Sequence, residues 1–324
     1  MRDVTTSDWH TAGEPFRIVT SGAPDVPGET VAARRVHAMA DPAVEAVRTL
    51  LVHEPRGHAD MYGCLVVAPD DAGAHLGALF FHKDGWSTAC GHGTIALGAW
   101  AVDTGRVAAP DDGEVDVVVD VPSGRVVARV VRAGGRTTSV TFVNVPARVV
   151  ARGVAAAGVR ADVAFGGATY ASVRAADLGL RVEAAQLGAL IAAGRAVKAD
   201  LDGTPPTVHP TDPHLSGLYG TTFWEDIAPG HQRSVTVFAD GEVDRSPCGS
   251  GTSARCALLH DAGELPTGAV LRHDSIIGTT FSARVLSEEP TGVVTAVEGR
   301  AHRTGEHRFV LDPDDELGTG FVLR

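Results

Sequence analysis

A ten-residue motif centred on a cysteine occurs twice in this chain. The first copy occupies residues 87–96 and reads STACGHGTIA, and the second occupies residues 245–254 and reads RSPCGSGTSA. Cys90 and Cys248 are therefore 158 residues apart, which is close to half of the 324-residue chain. A repeat of this length is typical of two similar structural units. We predict two halves that face each other and that each bring one thiol to a shared cleft.

Much of the chain has the pattern of short strands. Runs rich in β-branched residues are separated by Gly, Pro and Asp turns, and they occupy residues 16–20, 64–67, 114–121, 125–131 and 234–238. Helical patterns are fewer, and they occupy residues 41–52, 94–102, 182–197 and 252–260. The predicted fold class is α+β, with two pseudo-symmetric domains that each have a mixed, mostly antiparallel sheet around a central helix. Two helical patterns directly follow the motif copies, which places each cysteine at a helix entrance.

The boundary between the halves is predicted near Val145. Residues 140–149 (VTFVNVPARV) have the pattern of one strand that leaves the first half. The first domain is then residues 1–145, which carry Cys90, and the second is residues 146–324, which carry Cys248. A last strand, at about residues 305–324, is expected either to stay in the second domain or to return to the first.

Composition and charge narrow the classes of partner. The chain has 28 Lys and Arg against 40 Asp and Glu, a formal net charge of −12. Nucleic acid and anionic membranes attract basic surfaces, so we expect neither as a partner. The sequence starts without an apolar signal-peptide core, and no apolar run is long enough to cross a bilayer. Four cysteines in so long a chain do not make a disulfide framework, and we therefore predict a cytoplasmic protein with reduced thiols.

No cofactor and no metal are predicted. Lysine occurs only at Lys83 and Lys198, and neither lies in a motif that binds pyridoxal phosphate through a Schiff base. The glycine-rich segment after Cys248 lacks the lysine of a phosphate-binding loop. Residues of metal-ligand type, without a helical His-Glu-x-x-His pattern to connect them, occur at His10, Glu14, His53, His58 and Asp60.

A cysteine at a helix entrance has distinctive chemistry. The N-terminus of a helix carries about half a positive charge and unpaired N–H groups, and both stabilise a thiolate or a bound carboxylate. Two such entrances would hold one carboxylate and place a sulfur on each face of its α-carbon. Cys90 and Cys248 are therefore candidate acid–base groups, whereas Cys64 and Cys256 are interpreted as core residues. Glycines let a ligand approach the backbone closely, and they lie beside the two candidates at Gly91, Gly93, Gly249 and Gly251.

Two residues near the cysteines are candidates for the same site. His92 lies two residues after Cys90, and we interpret it as a partner that sets the charge of the thiol and contacts the substrate carboxylate. The alternative is a histidine that only hydrogen-bonds the turn. Asp244 lies four residues before Cys248, and we interpret its carboxylate as the group that binds a substrate ammonium. The alternative is a solvated turn residue paired with Arg245.

Six segments of the chain together resemble the proline racemase family, which includes 4-hydroxyproline 2-epimerases and trans-3-hydroxy-L-proline dehydratases. The segments are residues 8–19 (DWHTAGEPFRIV), 54–63 (EPRGHADMYG), 90–93 (CGHG), 165–170 (FGGATY), 244–254 (DRSPCGSGTSA) and 273–278 (HDSIIG). The resemblance implies the diaminopimelate-epimerase-like fold, a homodimer, no cofactor and a cysteine pair as acid and base. By motif match it implies that His92 and Asp244 support catalysis. It also implies that the substrate carboxylate is bound by Gly91, Gly249, Ser250, Gly251 and Thr252.

The residue at position 248 narrows the reaction. Dehydratases of this family usually have threonine there, and loss of a 3-hydroxyl needs one base but no proton donor on the far face of Cα. Inversion of Cα needs that donor, so Cys248 favours a racemase or epimerase acting on proline or a hydroxyproline. Residues 54–58 (EPRGH) resemble racemases and dehydratases more than 4-hydroxyproline epimerases, so trans-3-hydroxy-L-proline dehydratase is the alternative. A non-catalytic amino-acid-binding protein on the same scaffold is the second alternative.

Overall fold

The computed structural model describes residues 3–323, so residues 1, 2 and 324 of the predicted domains lie outside the described part. Within it the α-helices are α1 (Val31–Ala40), α2 (Pro42–Val52), α3 (Gly91–Asp103), α4 (Leu187–Leu201) and α5 (Gly249–Asp261). The strands are β1 (Val4–Thr11), β2 (Glu14–Ser21), β3 (Tyr62–Val67), β4 (Leu76–His82), β5 (Gly85–Trp86), β6 (Gly113–Val121), β7 (Gly124–Ala133), β8 (Arg136–Val143), β9 (Arg148–Ala156), β10 (Val159–Phe165), β11 (Thr169–Arg174), β12 (Leu218–Ala228), β13 (His231–Phe238), β14 (Glu242–Asp244), β15 (Leu271–Ser275), β16 (Thr280–Glu289), β17 (Gly292–Gly299) and β18 (Ala301–Phe309). No helix among these is long and apolar enough to cross a membrane.

The chain divides into two compact units. Unit 1 contains the residues up to 11, residues 15–140 and the residues from 300 onward, and unit 2 contains residues 12–14 and 141–299. The sequence placed the boundary near Val145 and left the side of the last strand open. In the structure β18 pairs with β1, with Val4 opposite Phe309, so the chain returns to unit 1 after completing unit 2.

Unit 1 is a mixed sheet with the strand order β18-β1-β2-β3-β4-β6-β7. The pairs β2/β3 and β4/β6 are parallel, whereas β1/β18, β3/β4 and β6/β7 are antiparallel. A parallel pair needs a long connection between its strands, and α1 and α2 lie in the connection from β2 to β3. Their apolar faces pack with β3 and β4 in a core that includes Val44, Leu51, Leu79 and Phe81.

Unit 2 has the same topology as unit 1. Its strand order is β9-β10-β11-β12-β13-β15-β16-β17, and its parallel pairs, β11/β12 and β13/β15, fall at the same two positions as in unit 1. Helix α4 occupies the connection from β11 to β12, where unit 1 has α1 and α2. The short cysteine repeat in the sequence is therefore the most visible part of a duplication of the whole fold.

A central helix in each unit follows its cysteine and is buried on nearly all sides. Every residue of α3 except Asp103 is buried, and so is every residue of α5 up to Leu259. A helix without a polar face must be enclosed by other elements. Accordingly, α3 contacts β1, β6, β7 and β18, and α5 contacts β9, β10, β16 and β17. The prediction of an α+β fold with a mixed sheet around a central helix in each half is confirmed.

Some local predictions were wrong for identifiable reasons. Residues 140–149 form the end of β8 and the start of β9 rather than one strand, and Pro146, which lacks an N–H donor, lies between them. The helix predicted at 182–197 begins at Leu187, after a 3₁₀ turn at Ala184–Gln186. Helix α1 was not predicted, although Thr30 caps it by accepting a hydrogen bond from the Ala33 N–H at 3.1 Å.

Candidate active site

Cys90 caps the helix that follows it. It is the N-cap residue of α3 and has an ordinary extended backbone, with φ −153° and ψ 106°. Its Sγ accepts a hydrogen bond from the Gly93 N–H at 3.2 Å, and its carbonyl accepts the Thr94 hydroxyl at 2.7 Å. Serine and threonine oxygens make the same bond at other helices. The sulfur is therefore held beside the positive end of the α3 dipole.

His92 lies against the Cys90 sulfur, and its predicted role toward the thiol and the substrate carboxylate stays a prediction. Its Nδ1 is 3.4 Å from Sγ, and its ring packs edge-on against Phe16 and Tyr62. Burial lowers the pKa of His92 to about 3, although a hydrogen bond to the Pro15 carbonyl acts in the opposite direction. The ring is therefore neutral near pH 7, and the nitrogen that bonds Pro15 carries its one hydrogen. His92 can accept a hydrogen bond from the thiol, but it adds no positive charge.

Cys248 caps α5 in the corresponding place but with a different backbone. Its φ is 65° and its ψ 109°, and the other non-glycine residues with positive φ in the described chain are the alanines Ala12, Ala157 and Ala239. Non-glycine residues in this region are strained, and such strain is common at functional sites. The Cys248 Sγ accepts the Gly251 N–H at 3.3 Å. The two cysteines are thus alike in their capping bond and unlike in the chain that presents them.

Asp244 lies at the end of β14 and is 4% exposed, so it is not a solvated turn residue. Its Oδ1 accepts hydrogen bonds from the Ser246 N–H at 2.8 Å and the Ser246 hydroxyl at 2.7 Å. The Ser246 Oγ in turn accepts the Cys248 N–H at 3.1 Å. Burial raises the pKa of Asp244 to about 6, and the hydrogen bonds from Ser246 and Cys248 oppose that rise. The charge of Arg245 opposes it as well, since a nearby cation stabilises a buried carboxylate.

The thiol of Cys248 is buried next to that carboxylate. Burial raises its pKa far above the usual value, and the charge of Asp244 raises it further. Hydrogen bonds to Gly251, Thr236 and Tyr170 act in the opposite direction but do not outweigh burial. Burial and the charge of Asp244 therefore oppose formation of the thiolate at Cys248, and the expectation that a helix entrance favours it stays a prediction. Cys64 and Cys256 are fully buried, as predicted for core residues.

The predicted carboxylate binders separate into two groups. The N–H groups of Gly93 and Gly251 bond the cysteine sulfurs, and the Thr252 hydroxyl bonds the Pro247 carbonyl at 3.1 Å. The first N–H groups of a helix have no intrahelical partner, and in residues 3–323 those of Gly249 and Ser250 bond nothing else. The Ser250 hydroxyl is also buried without a partner in the same range. These unpaired donors, with the equivalent N–H of Gly91 at the start of α3, are the groups that can receive an anion.

The sequence did not single out two hydroxyl groups that contact Cys248. The Tyr170 hydroxyl lies 3.9 Å from Sγ, and Thr236 hydrogen-bonds the same sulfur from β13. Tyr170 ends the FGGATY segment, whose Gly166 lies against the start of α5: an added Cβ there would be 2.5 Å from the Ser250 carbonyl oxygen. The pair of glycines in this segment permits that close approach. It was the sequence signal that could have pointed to Tyr170.

Gly93→Ala is expected to destabilise unit 1. A Cβ at this position would lie 2.5 Å from Cε2 of Phe16 and 2.7 Å from the Cys90 sulfur. Overpacking of a buried site usually costs about 1–3 kcal/mol, so we expect a lower Tm in a thermal melt. Gly188→Ala is the matched control, because no atom lies within 4 Å of the added carbon near the start of α4. An unchanged Tm for Gly93→Ala would contradict the described packing.

The chain is similar to known proteins over nearly its whole length. The chain is 40% identical to a trans-3-hydroxy-L-proline dehydratase of Bacillus cereus, over 98% of each chain. It is 41% identical to a 3-hydroxyproline 2-epimerase of Burkholderia multivorans, over 100% of this chain and 99% of that one. The crystal structure of a hydroxyproline epimerase from Agrobacterium vitis, with bound trans-4-hydroxy-L-proline, superposes with a TM-score of 0.92 at 30% identity, covering 100% of this chain and 95% of the other.

The sequence model of the family described as proline racemase matches residues 6–322. That range contains both helix entrances and nearly every element of both units. Identity of 40% or more over almost the whole length, together with the matching fold, leaves one conclusion. The chain belongs to the proline racemase family.

Proposed function

We propose that this protein is a cofactor-independent racemase or epimerase that inverts Cα of proline or a hydroxyproline. One observation carries the proposal. Each of two equivalent helix entrances holds a cysteine sulfur at the N-cap, next to backbone N–H groups at Gly91, Gly249 and Ser250 for which residues 3–323 supply no partner. A binding protein would need the N–H groups but not the second sulfur. Inversion of a carbon needs both a base and an acid.

In the proposed reaction one proton is removed from Cα and another is added to its opposite face. The thiolate of one cysteine takes the Cα proton and becomes a thiol, and the electron pair left on Cα spreads into the substrate carboxylate. Backbone N–H groups at Gly91, Gly249 and Ser250 stabilise the negative charge that builds up there. The thiol of the other cysteine then donates its proton to the opposite face and becomes a thiolate. Cys90 and Cys248 exchange roles when the substrate has the opposite handedness.

Asp244 is proposed to bind the substrate ammonium, and this contact also bears on Cys248. The charge of Asp244 is one cause of the raised thiol pKa. A cation bound to Asp244 would cancel that charge and so lower the pKa of Cys248. Substrate binding would therefore help to activate the sulfur, which lets the buried thiol remain unreactive until it is needed.

The second candidate is trans-3-hydroxy-L-proline dehydratase, which the name of the Bacillus cereus relative favours. In that substrate the 3-hydroxyl and the Cα hydrogen are on the same face of the ring, because both are opposite the carboxylate. One base removes the Cα proton, the hydroxyl leaves with a proton as water, and the resulting enamine rearranges to a cyclic imine. This route needs one sulfur only. The cysteine at position 248, where a dehydratase usually has threonine, makes inversion the first choice.

An experiment in heavy water separates these candidates. L-proline, trans-4-hydroxy-L-proline and trans-3-hydroxy-L-proline are each incubated with the protein, and the products are followed by chiral chromatography and NMR. We expect inversion, with deuterium at Cα of the product and none in the remaining substrate at early times, as two separate acid–base groups require. Loss of the hydroxyl from trans-3-hydroxy-L-proline would instead identify the dehydratase. No exchange with any of the three would contradict both enzymes and identify a binding protein.

We further propose that the protein works as a homodimer, as the family resemblance implies, and that it is cytoplasmic, as the four cysteines in so long a chain indicate. All four cysteines are free thiols, which is consistent with a reducing compartment.

A further inference from the structure

The strained backbone of Cys248 depends on the peptide group that precedes it. With φ at 65°, Cys248 is held in a region that cysteine rarely adopts. Rotation toward a more common φ would swing the Pro247–Cys248 peptide group, and with it the Pro247 carbonyl. That carbonyl oxygen accepts the Thr252 hydroxyl at 3.1 Å and the Ser234 hydroxyl at 3.5 Å. These bonds therefore oppose relaxation of the cysteine.

The Thr252 hydroxyl is itself held by His273. The His273 Nδ1 lies 2.8 Å from Thr252 Oγ1. A hydroxyl has one hydrogen, and a carbonyl oxygen can only accept, so the Thr252 hydrogen points to Pro247. The hydrogen of the second bond must then come from Nδ1 of His273, which fixes the tautomer of the ring. Burial lowers the pKa of His273 to about 3, so the ring is neutral near pH 7.

Burial of the His273 ring at this position is energetically unfavourable. It lies in β15 and is fully buried, and its Nε2 has no hydrogen-bond partner within residues 3–323. An unpaired polar atom in the interior is unfavourable, and phenylalanine would fill a similar space without one. Within residues 3–323, the one hydrogen bond made by a ring nitrogen of His273 is the bond to Thr252. That bond is therefore the feature that a histidine supplies here.

The other helix entrance shows what Thr252 would do without the histidine. Thr94 is the equivalent residue after Cys90, and its hydroxyl donates to the Cys90 carbonyl within its own helix at 2.7 Å. The strand equivalent to β15 is β6, which pairs with β4 as β15 pairs with β13, and its sequence, GEVDVVVDV, contains no histidine. Cys90 has an ordinary extended backbone, so no carbonyl before it has to be restrained. The histidine occurs only in the unit whose cysteine is strained.

We propose that His273 is a positioning residue for Cys248, which keeps the Thr252 hydroxyl on the Pro247 carbonyl and so holds the cysteine in its left-handed conformation. The inference rests on the proposed function in that Cys248 is one of the two acid–base groups. It adds a residue from a distant strand that touches neither the substrate nor the sulfur. Its effect is transmitted through Thr252 and one peptide group.

The test compares His273→Phe with His273→Asn. Phenylalanine removes the donor, so Thr252 can turn to the Cys248 carbonyl, whereas the asparagine Nδ2 can occupy the place of the histidine Nδ1. We expect kcat for inversion to fall by about 10- to 100-fold in His273→Phe, the range for a catalytic group displaced by about an ångström. KM should stay within about threefold, because the N–H donors and Asp244 are unaltered. His273→Asn should restore most of kcat.

Alkylation by iodoacetamide gives a readout that does not depend on the reaction. Peptide mass spectrometry measures the rates at Cys248 and Cys90 in the same sample. In His273→Phe we expect the Cys248 rate to change by at least about threefold while the Cys90 rate stays the same, because reactivity follows the environment of the sulfur. His260→Phe, at the far end of α5 where the ring bonds the Leu265 carbonyl, is the matched control and should change neither rate.

Two outcomes would overturn the proposal. One is a His273→Phe protein with unchanged kcat and unchanged Cys248 alkylation. The other is an equal change at both cysteines that asparagine does not restore, which would indicate a general role in folding. If no proline derivative reacts, the alkylation rates still decide the role of His273, and only the proposed function fails. If His273→Phe does not fold, His273→Gln replaces it, since its amide extends past the Nδ1 position and should restore less than asparagine.

Discussion

Cys248→Ser is expected to lower the rate of inversion by about 10³-fold, within the range for loss of a general acid or base. A serine hydroxyl is a much weaker acid than a thiol, so it neither gives up its proton to Cα nor forms the anion that removes one. Cys90 remains in place with its capping bond from Gly93. The variant should therefore still exchange the Cα hydrogen of one stereoisomer with solvent, without inverting it. Chiral chromatography and deuterium NMR measure the two rates separately.

The matched control for this variant is Cys256→Ala. Cys256 lies on the same helix, two turns beyond Cys248, and is fully buried in the core. Burial raises the pKa of its thiol to about 12, so it carries no charge under working conditions. Its removal should leave the rate of inversion within about threefold of the unchanged protein, since no acid–base group is lost. Inversion by Cys248→Ser at an undiminished rate would exclude the two-cysteine mechanism.

Asp244→Asn is expected to weaken substrate binding and to stabilise the fold at the same time. The pKa of Asp244 is raised to about 6 by burial, against about 4 for an ordinary aspartate. A raised carboxyl pKa means that the folded state prefers the proton. Its contribution to stability is therefore present below about pH 4 and is lost as the pH rises through about 6. Two pKa units correspond to roughly 3 kcal/mol, which the charged carboxylate costs the folded protein at pH 8.

The asparagine variant removes that cost but keeps an acceptor for Ser246. Thermal melts should show a higher Tm than the unchanged protein at pH 8 and the same Tm near pH 4. The KM for the amino acid should rise about 10- to 100-fold, because a hydrogen bond to a charged group contributes roughly 1.5–3 kcal/mol. Alkylation of Cys248 at pH 8 should become faster, since the charge that raises its pKa is gone. A lower Tm at pH 8 would show that the interactions of the charged carboxylate, including that with Arg245, outweigh the cost of burying it.

The position of the two cysteines was predictable, and their environments were not. The repeat and its glycines place Cys90 and Cys248 at helix entrances from local sequence alone, and the N-caps of α3 and α5 confirm this. Burial is decided by the residues that cover a position, and these come from distant strands. For that reason residues 244–247 (DRSP) were compatible with a solvated turn. In the fold Asp244 is enclosed, and its pKa rises.

Residues that contact the Cys248 site from distant strands could not be predicted from the motif either. Thr236 contacts Cys248 from β13, and His273 contacts Thr252 from β15. Both depend on which strands lie beside α5, which follows from the topology of unit 2 and not from residues 245–254. The two copies of the motif have identical spacing, so nothing in the sequence indicates that the backbone φ differs between Cys90 and Cys248.

The return of β18 to unit 1 has a consequence for synthesis on the ribosome. Val4 pairs with Phe309, so β1, which has β2 on its other side, keeps one edge without a partner until about 300 residues later, roughly 15–60 s at usual elongation rates. Unit 2, apart from residues 12–14, is one continuous stretch and can close before its neighbour does. During that interval the open edge of β1 can pair with other nascent chains. Chaperone dependence in the cell is therefore expected to concentrate on unit 1, the half that carries Cys90.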